Sequence, residues 1–513
     1  MLPSRQSAAG ALLLASCVVG IVTTAACDDV ADVDPATALR LTPAQAAALA
    51  ARGGELALPA LAVLPADVAE ALATHAGPLL DLGGLHALSA EAAEKLSHRP
   101  GRLRLGGLRR LTADVARPLA RTEGWLELPA LESLEPDVAE ILAQRLSFGL
   151  AVGVKTLRPE VAAAIATSTN DLALPRLAEL TPAVATALAR HAGGTLRLDA
   201  LSNLEPDVAL ALAGHGGFAV DLPGLKTLWP EAARGLAAMR GQLRLTGLTS
   251  LSTAAAEQLA PHGGMLWLAL PEIPADTAAA LARHHGDLQM RLTTLDSAAL
   301  AGKLAGQESP GLGSVASLSV AAARALAGRH AGLDLSGLRR LSPEIARELA
   351  ACRGVVNLTG LETISAADTA ALGATRVVLD GRLLAAIDAE TRATLLETEH
   401  VRFDYGRMTT LTPPIVKAIV GREANLVLSG ISDFDFPDAV EVASVLATVR
   451  GTLALPGLKS ISANAVSALI RKEDIDIPLL ESLQIVPEPD GSPSEDIVVP
   501  AGFAERQERR RTR

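Results

Sequence analysis

Ten histidines punctuate this 513-residue chain. Five of them, His75, His191, His215, His262 and His284, recur at one place, three residues after the last leucine of an apolar helical segment and just before a glycine-containing turn. Imidazole is the commonest protein metal ligand, and rings in neighbouring copies, stacked about 5 Å apart, would be close enough to share an ion. His191 with His215, and His262 with His284, fall in such neighbours. A histidine at a helix C-terminus has a second use: it favours the negative end of the helix dipole and reaches the last carbonyls. That capping use, copied with the repeat, accounts for the column without any ion.

A second group lies on short L-x-L stretches, where alternate residues face opposite sides. With the leucines inward, the outward row reads Asp81, Arg104, Glu127 in one run and Arg197, Asp221, Arg244 in another. Opposite charges on adjacent strands pair as ladders and neutralise the sheet face. Beside the second run, GGMLWLALP and DLQMRL place Met265 and Trp267 outward, while Met290 takes an inward leucine position. Only 2% of the chain is aromatic, and a Leu and Ala core requires no indole there. Binding hot spots combine such a ring with a charged or amide rim. A binding surface on the sheet is therefore expected at Trp267, with Met265, Arg244 and Gln289 around it; the structural alternative is an indole covering a gap left by Ala269. Trp125 lies at the outward edge of an earlier strand, and Trp229 stands where a helix cap is usual.

No phosphate-binding P-loop, G-x-S-x-G elbow, H-E-x-x-H or paired C-x-x-C occurs in the sequence. Catalytic groups would have to break the repeat, and few residues do. The expectation is a protein without catalytic residues or cofactor.

The elements that position these residues come from a repeat. LRLGGLRRLTADVARPLA (103–120) returns as LDLSGLRRLSPEIARELA (333–350). Strand starts at Leu56, Leu80, Leu103, Leu126, Leu172, Leu196, Val220, Leu243, Leu266, Leu288, Leu333, Val356, Leu426 and Leu453 give a period of about 23 residues. Degenerate copies fill the gaps near 149, 310, 379 and 403, for about nineteen units. Each unit opens with a short strand and continues with a helix: Ser or Thr at the N-cap, often Pro next, then an acid. Spacing of four puts Ile345 and Leu349 on one buried face. One strand and one short helix cannot bury their faces alone, so the copies must stack.

The unit resembles a leucine-rich repeat, in particular the roughly 23-residue class of bacterial surface proteins; LALPALAVLPADVAEALA (56–73) and LELPALESLEPDVAEILA (126–143) carry the likeness. The resemblance implies an α/β leucine-rich-repeat-like solenoid with a continuous parallel sheet over residues 37–485, and binding of another macromolecule, a protein foremost, through the sheet face. The asparagine of many such repeats is replaced here by Pro, Gly or Ala, and the Phe and Cys of the bacterial class by Leu and Ala.

Hydrophobic residues make up 49% of the chain, charged residues 20%, and the net charge is -11. That balance argues against nucleic acid as a partner. The N-terminus reads as a signal peptide over 1–26, with MLPSR as a basic start and AAGALLLASCVVGIV as its apolar stretch. LASC and TAAC both resemble lipoprotein cleavage sites. Position favours Cys27 over Cys17 as the lipidated residue, because the polar DDVADVDP of a 27–36 tether follows it. With Cys352 alone in the body of the chain, there is no disulfide framework. The sequence from 486 to 513, Pro-rich and charged, is expected to be a disordered tail. Three uses follow: a lipid-anchored, exported binding protein of the cell envelope, a structural spacer on the order of 90 Å long, and metal binding by the histidine column.

Overall fold

The computed structural model describes residues 33–511 except 147, 490 and 495. The signal-peptide reading of 1–26, the lipidation reading of Cys27 and most of the 27–36 tether lie outside the described residues.

Each repeat folds as its residues dictate. The leucines of L-x-L point inward: Leu103 and Leu105 are buried while Arg104 between them is not. The helices begin where the caps stand. Ser89, Thr181, Ser252, Ser297, Ser319 and Ser342 each accept a hydrogen bond from the backbone N–H three residues on, satisfying a donor that the first helical turn leaves open. Thr42 with Gln45 and Ser365 with Asp368 close full capping boxes. Pro136, Pro159, Pro182, Pro206, Pro230 and Pro343 occupy the first helical position, where no N–H is needed. The inward helix face is set by residues three and four apart, such as Val68, Ala69 and Leu72. In the copy at Pro343–Leu349 the buried pair is Ala346 and Leu349. Ile345, expected on that face, is only half-buried.

The chain divides into two units, one running to Leu270 and including Arg283–Gln289, the other comprising Pro271–Ala282 and Met290 onward. An eleven-stranded sheet, from Leu56–Ala57 to Leu288–Met290, has its strands in chain order. Parallel pairing stacks Leu56, Leu80, Leu103, Leu126, Leu150, Leu172, Leu196, Val220, Leu243 and Leu266 in one inward column. Return turns cross so closely that side chains are excluded. Gly124, at φ 108°, would bring a Cβ within 2.3 Å of the Gly101 carbonyl oxygen.

The second unit keeps the repeat but divides the ladder, so the sheet is continuous over eleven strands and not over the whole chain. The copy near 310 forms no strand at its L-x-L position; Pro310 has no N–H to donate and Gly311 sits at φ 66°. Beyond it Leu333–Asp334, Val356–Asn357, Val377–Asp380 and Val401–Asp404 pair in parallel, and Leu426–Val427, Leu453–Ala454 and Ile475–Asp476 form a further sheet. A second ladder, Asp433–Phe434, Ser460–Ser462 and Gln484–Val486, runs beside the latter segment of chain.

The reading of 486–513 as a disordered tail is corrected for its end. Ala501–Arg511 is a helix. Phe503 is 2% exposed; Gln507 accepts from the Leu480 N–H at 3.0 Å, and Arg510 donates to the Ile477 carbonyl and pairs with Asp476. These three lie four and three residues apart, on one helix face, which meets the end of the strand Ile475–Asp476 and the turn after it. Two of the three are polar, so the face leaves no apolar period in the sequence.

Candidate functional site

The histidine column is a position of the fold. The residue three after the last helix leucine turns inward, and its N–H donates to that leucine's carbonyl: His75 to Leu72, His191 to Leu188, His215 to Leu212, His262 to Leu259. Their side chains are at most 2% exposed. Three of them meet a main-chain carbonyl of the preceding copy: His75 Nδ1 meets Ala50 at 3.0 Å, His191 Nε2 meets Asn170 at 2.7 Å and His262 Nε2 meets Gly241 at 3.1 Å, while His284 Nδ1 meets the Gly286 carbonyl of its own turn at 2.9 Å. The neighbouring pairs also meet each other. His191 Nδ1 lies 3.1 Å from His215 Nε2, and His262 Nδ1 3.2 Å from His284 Nε2.

The same position holds other polar residues that the sequence reading did not connect with the histidines. Arg99 donates to the carbonyls of Gly77 (2.8 Å) and Arg102 (2.7 Å), and Arg145 to the Leu119 carbonyl (2.7 Å), Thr122 Oγ1 (2.6 Å) and the Gly124 carbonyl. In the second unit Arg329 reaches the carbonyls of Ala305, Gln307, Glu308 and Gly332, Thr375 that of Ala350, Arg422 those of Leu395, Leu396, Thr398 and Val401, and Lys472 that of Val449. Helix ends and turns leave carbonyls without main-chain partners, and buried carbonyls need donors. In many copies one inward side chain supplies them, while Met239 and Val449 fill the same place with apolar side chains. Cys352 takes the position too, buried, with its thiol pushed up to about 11 by desolvation, which keeps it unreactive.

Burial acts on these groups as on any charge taken from water. It lowers His215 to about 4, with the neighbouring His191 adding to the effect, and it lowers His191 and His262 as well. Arg99 and Arg145 come down to about 10 for the same reason and remain cations at neutral pH. Neutral imidazole is the metal-binding form; most of these ring nitrogens meet carbonyls or each other, while His75 Nε2 and His215 Nδ1 are buried without a hydrogen-bond partner. Among the described residues no three His, Cys, Asp or Glu side chains come together as an ion would require.

On the sheet, the expected outward row is in place. Asp81, Arg104 and Glu127 are in register, with Arg104 3.7 Å from Asp81 and 3.9 Å from Glu127. Arg197 meets Asp221 at 3.3 Å and Asp199 at 2.7 Å. Arg244 stands in register with Asp221 on one side and Trp267 on the other, yet it forms none of the ion pairs of the described residues, because Asp221 Oδ2 is engaged by Arg197. Its guanidinium lies between two rings instead, 5.5 Å from the Trp267 centroid and 5.9 Å from that of Phe218, the geometry of a cation–π stack. One guanidinium nitrogen donates to Gln242 Oε1 at 3.2 Å; Nε is buried without an acceptor.

The structure brings together three of the four residues expected at a binding surface. Trp267 is 36% exposed and donates from Nε1 to Met265 Sδ at 3.0 Å; Arg244 stacks on the indole. Gln289 follows on the next strand, Leu288–Met290, half-buried, and Met290 is buried as the parity required. Phe218, 56% exposed, was missed. Its signal was the scarcity of rings, which singles out every exposed aromatic side chain. Trp229 is 62% exposed at a helix N-cap, and Trp125 packs against Gly149.

No protein-family model matches the chain, and no curated protein matches it. Among solved structures it is similar to a leucine-rich-repeat protein of Leptospira interrogans (16% identity, 82% of this chain and 96% of that one, TM-score 0.30). It is also similar to an internalin, InlF, of Listeria monocytogenes (12%, 66% and 88%, TM-score 0.31) and to the Toll–Spätzle complex of Drosophila (12%, 83% and 55%, TM-score 0.37). The fold is an α/β leucine-rich-repeat-like solenoid. That assignment rests on the chain's own repeat, parallel register and alternating strands and helices.

Proposed function

We propose that this chain is an exported, lipid-anchored repeat scaffold, not an enzyme, that binds a protein partner through the sheet face around Trp267. The observation that carries the reading is the cluster of Phe218, just before the strand Ala219–Asp221, with Arg244 and Trp267 on the two strands that follow. On the earlier strands of the eleven-stranded sheet the outward row is small or closes into charge pairs, so the rings stand out from that copied surface, and rings beside an arginine are the residues most enriched at binding hot spots. The experiment is a pull-down from native membranes with the mature chain, followed by affinity measurement on the captured protein. Trp267→Ala is expected to weaken it at least about tenfold with a melt within about 1 kcal/mol of the parent. Unchanged affinity would remove the sheet face as the site.

The anchoring part rests on the sequence: a basic and apolar segment over 1–26, Cys27 at its end and a polar tether over 27–36. Among the described residues no helix is long and apolar enough to cross a membrane. Cys27→Ala is expected to release the protein from the membrane fraction, with Cys17→Ala leaving it there; fatty-acid labelling that survives Cys27→Ala would overturn the assignment.

A further inference from the structure

We propose, resting on that reading of the sheet face, that Arg244 is the receptor for a carboxylate of the partner, so that the surface takes an acidic peptide segment carrying an apolar side chain beside the acid. Charge complementarity carries the inference. Arg102 and Arg104 pair with Glu127, Arg104 also with Asp81, and Arg197 with Asp221 and Asp199. Arg244 occupies the same row, but the carboxylate expected after it is replaced by the indole of Trp267. Its only side-chain hydrogen-bond acceptor among the described residues is the neutral Gln242. The row therefore ends on a cation held beside two rings, outside the ion pairs of the described residues and facing only the field of Asp221, a carboxylate that Arg197 already engages.

An arginine so stacked is pre-organised. The rings fix the plane of its donor fork and pack its stem, while an arriving carboxylate is matched by the guanidinium geometry. Phe218, Met265 and Trp267 supply apolar surface on either side for the flanking side chain. The adjacent buried Asp221 repels a carboxylate placed on its side, which leaves the approach from the Trp267 side.

The test uses the full chain labelled with nitrogen-15 at tryptophan. Its three tryptophans give three indole signals, and that of Trp267 is assigned by its loss in Trp267→Phe. The probes are two capped tripeptides, acetyl-Leu-Glu-Leu-amide and the same peptide with Gln for Glu. The Glu peptide is expected to shift the Trp267 signal with at least about fivefold tighter binding than the Gln peptide, and added salt should shrink the preference. Arg244→Gln should abolish the preference while the thermal midpoint stays put, and Arg244→Lys should keep part of it. Equal binding of the two peptides, lost in Trp267→Ala, would overturn the carboxylate assignment and leave the sheet-face reading standing. No shift with either peptide up to about 10 mM, or a preference that survives Arg244→Gln, would also overturn it.

Discussion

Arg145 and Arg244 are the same side chain in two regions of one unit. At the helix ends Arg145 is 2% exposed and spends its donors on the Leu119 and Gly124 carbonyls and on Thr122. On the outward row of the sheet Arg244 is stacked between rings, with one donor on Gln242 and no carboxylate partner. The contrast separates two kinds of polar position that a repeat copies with equal fidelity. The inward one is answerable to backbone carbonyls in many copies and is filled by a buried Met239, Cys352 or Val449 in others. The outward one answers to solvent, so it is free to depart from the copied pattern, and the proposed binding surface uses such a departure.

That contrast can be broken by substitution, beginning where the loss should be greatest. Arg329→Met keeps the buried volume but removes the donors of four carbonyls; about 3 to 5 kcal/mol of stability should go, since each buried acceptor left unsatisfied costs about 1 to 3. Leu245, wholly buried in a strand, should cost about 2 to 5 kcal/mol as Ala. Equal sensitivity at the outward Arg244 would mean that the strand parity is inverted.

Acid should act through the same inward column, with a sign fixed by burial. Folded His215 stays neutral down to about 4, whereas an unfolded imidazole takes up a proton near 6.5. Stability present above 6.5 is thus lost as the pH falls from 6.5 toward 4. His215→Gln should lessen the acid sensitivity by on the order of 1 kcal/mol between pH 7 and 5, read as the difference between melts at the two values. A parent whose midpoint is flat over that range would contradict the buried, neutral pair.

Much of this was legible in the sequence because the repeat writes it many times. L-x-L with its period gave strands and their parity, and Ser, Thr and Pro marked the helix starts. Trp267, Met265 and Arg244 were placed on the right face by alternation alone. What stayed hidden had polar chemistry in an inward place. Arg99, Arg145, Arg329, Arg422 and Lys472 look like surface charges until counted three residues from the last helix leucine, the offset already noted for the histidines. The helix at Ala501–Arg511 escaped because Gln507 and Arg510 share its buried face with Phe503. The division of the sheet in the second unit was foreshadowed by Pro310 and Gly311 at a strand position.

The central claim, that the inward polar column holds the fold while the outward row is free to bind, is tested most directly by denaturant melts of Arg145→Met and Arg244→Met side by side. Each substitution removes one guanidinium and keeps an unbranched apolar stem. The account predicts a loss of about 3 kcal/mol for Arg145→Met, against under about 1 for Arg244→Met, whose stacking is partly exposed. Equal losses at the two positions, or the larger loss at Arg244, would contradict it.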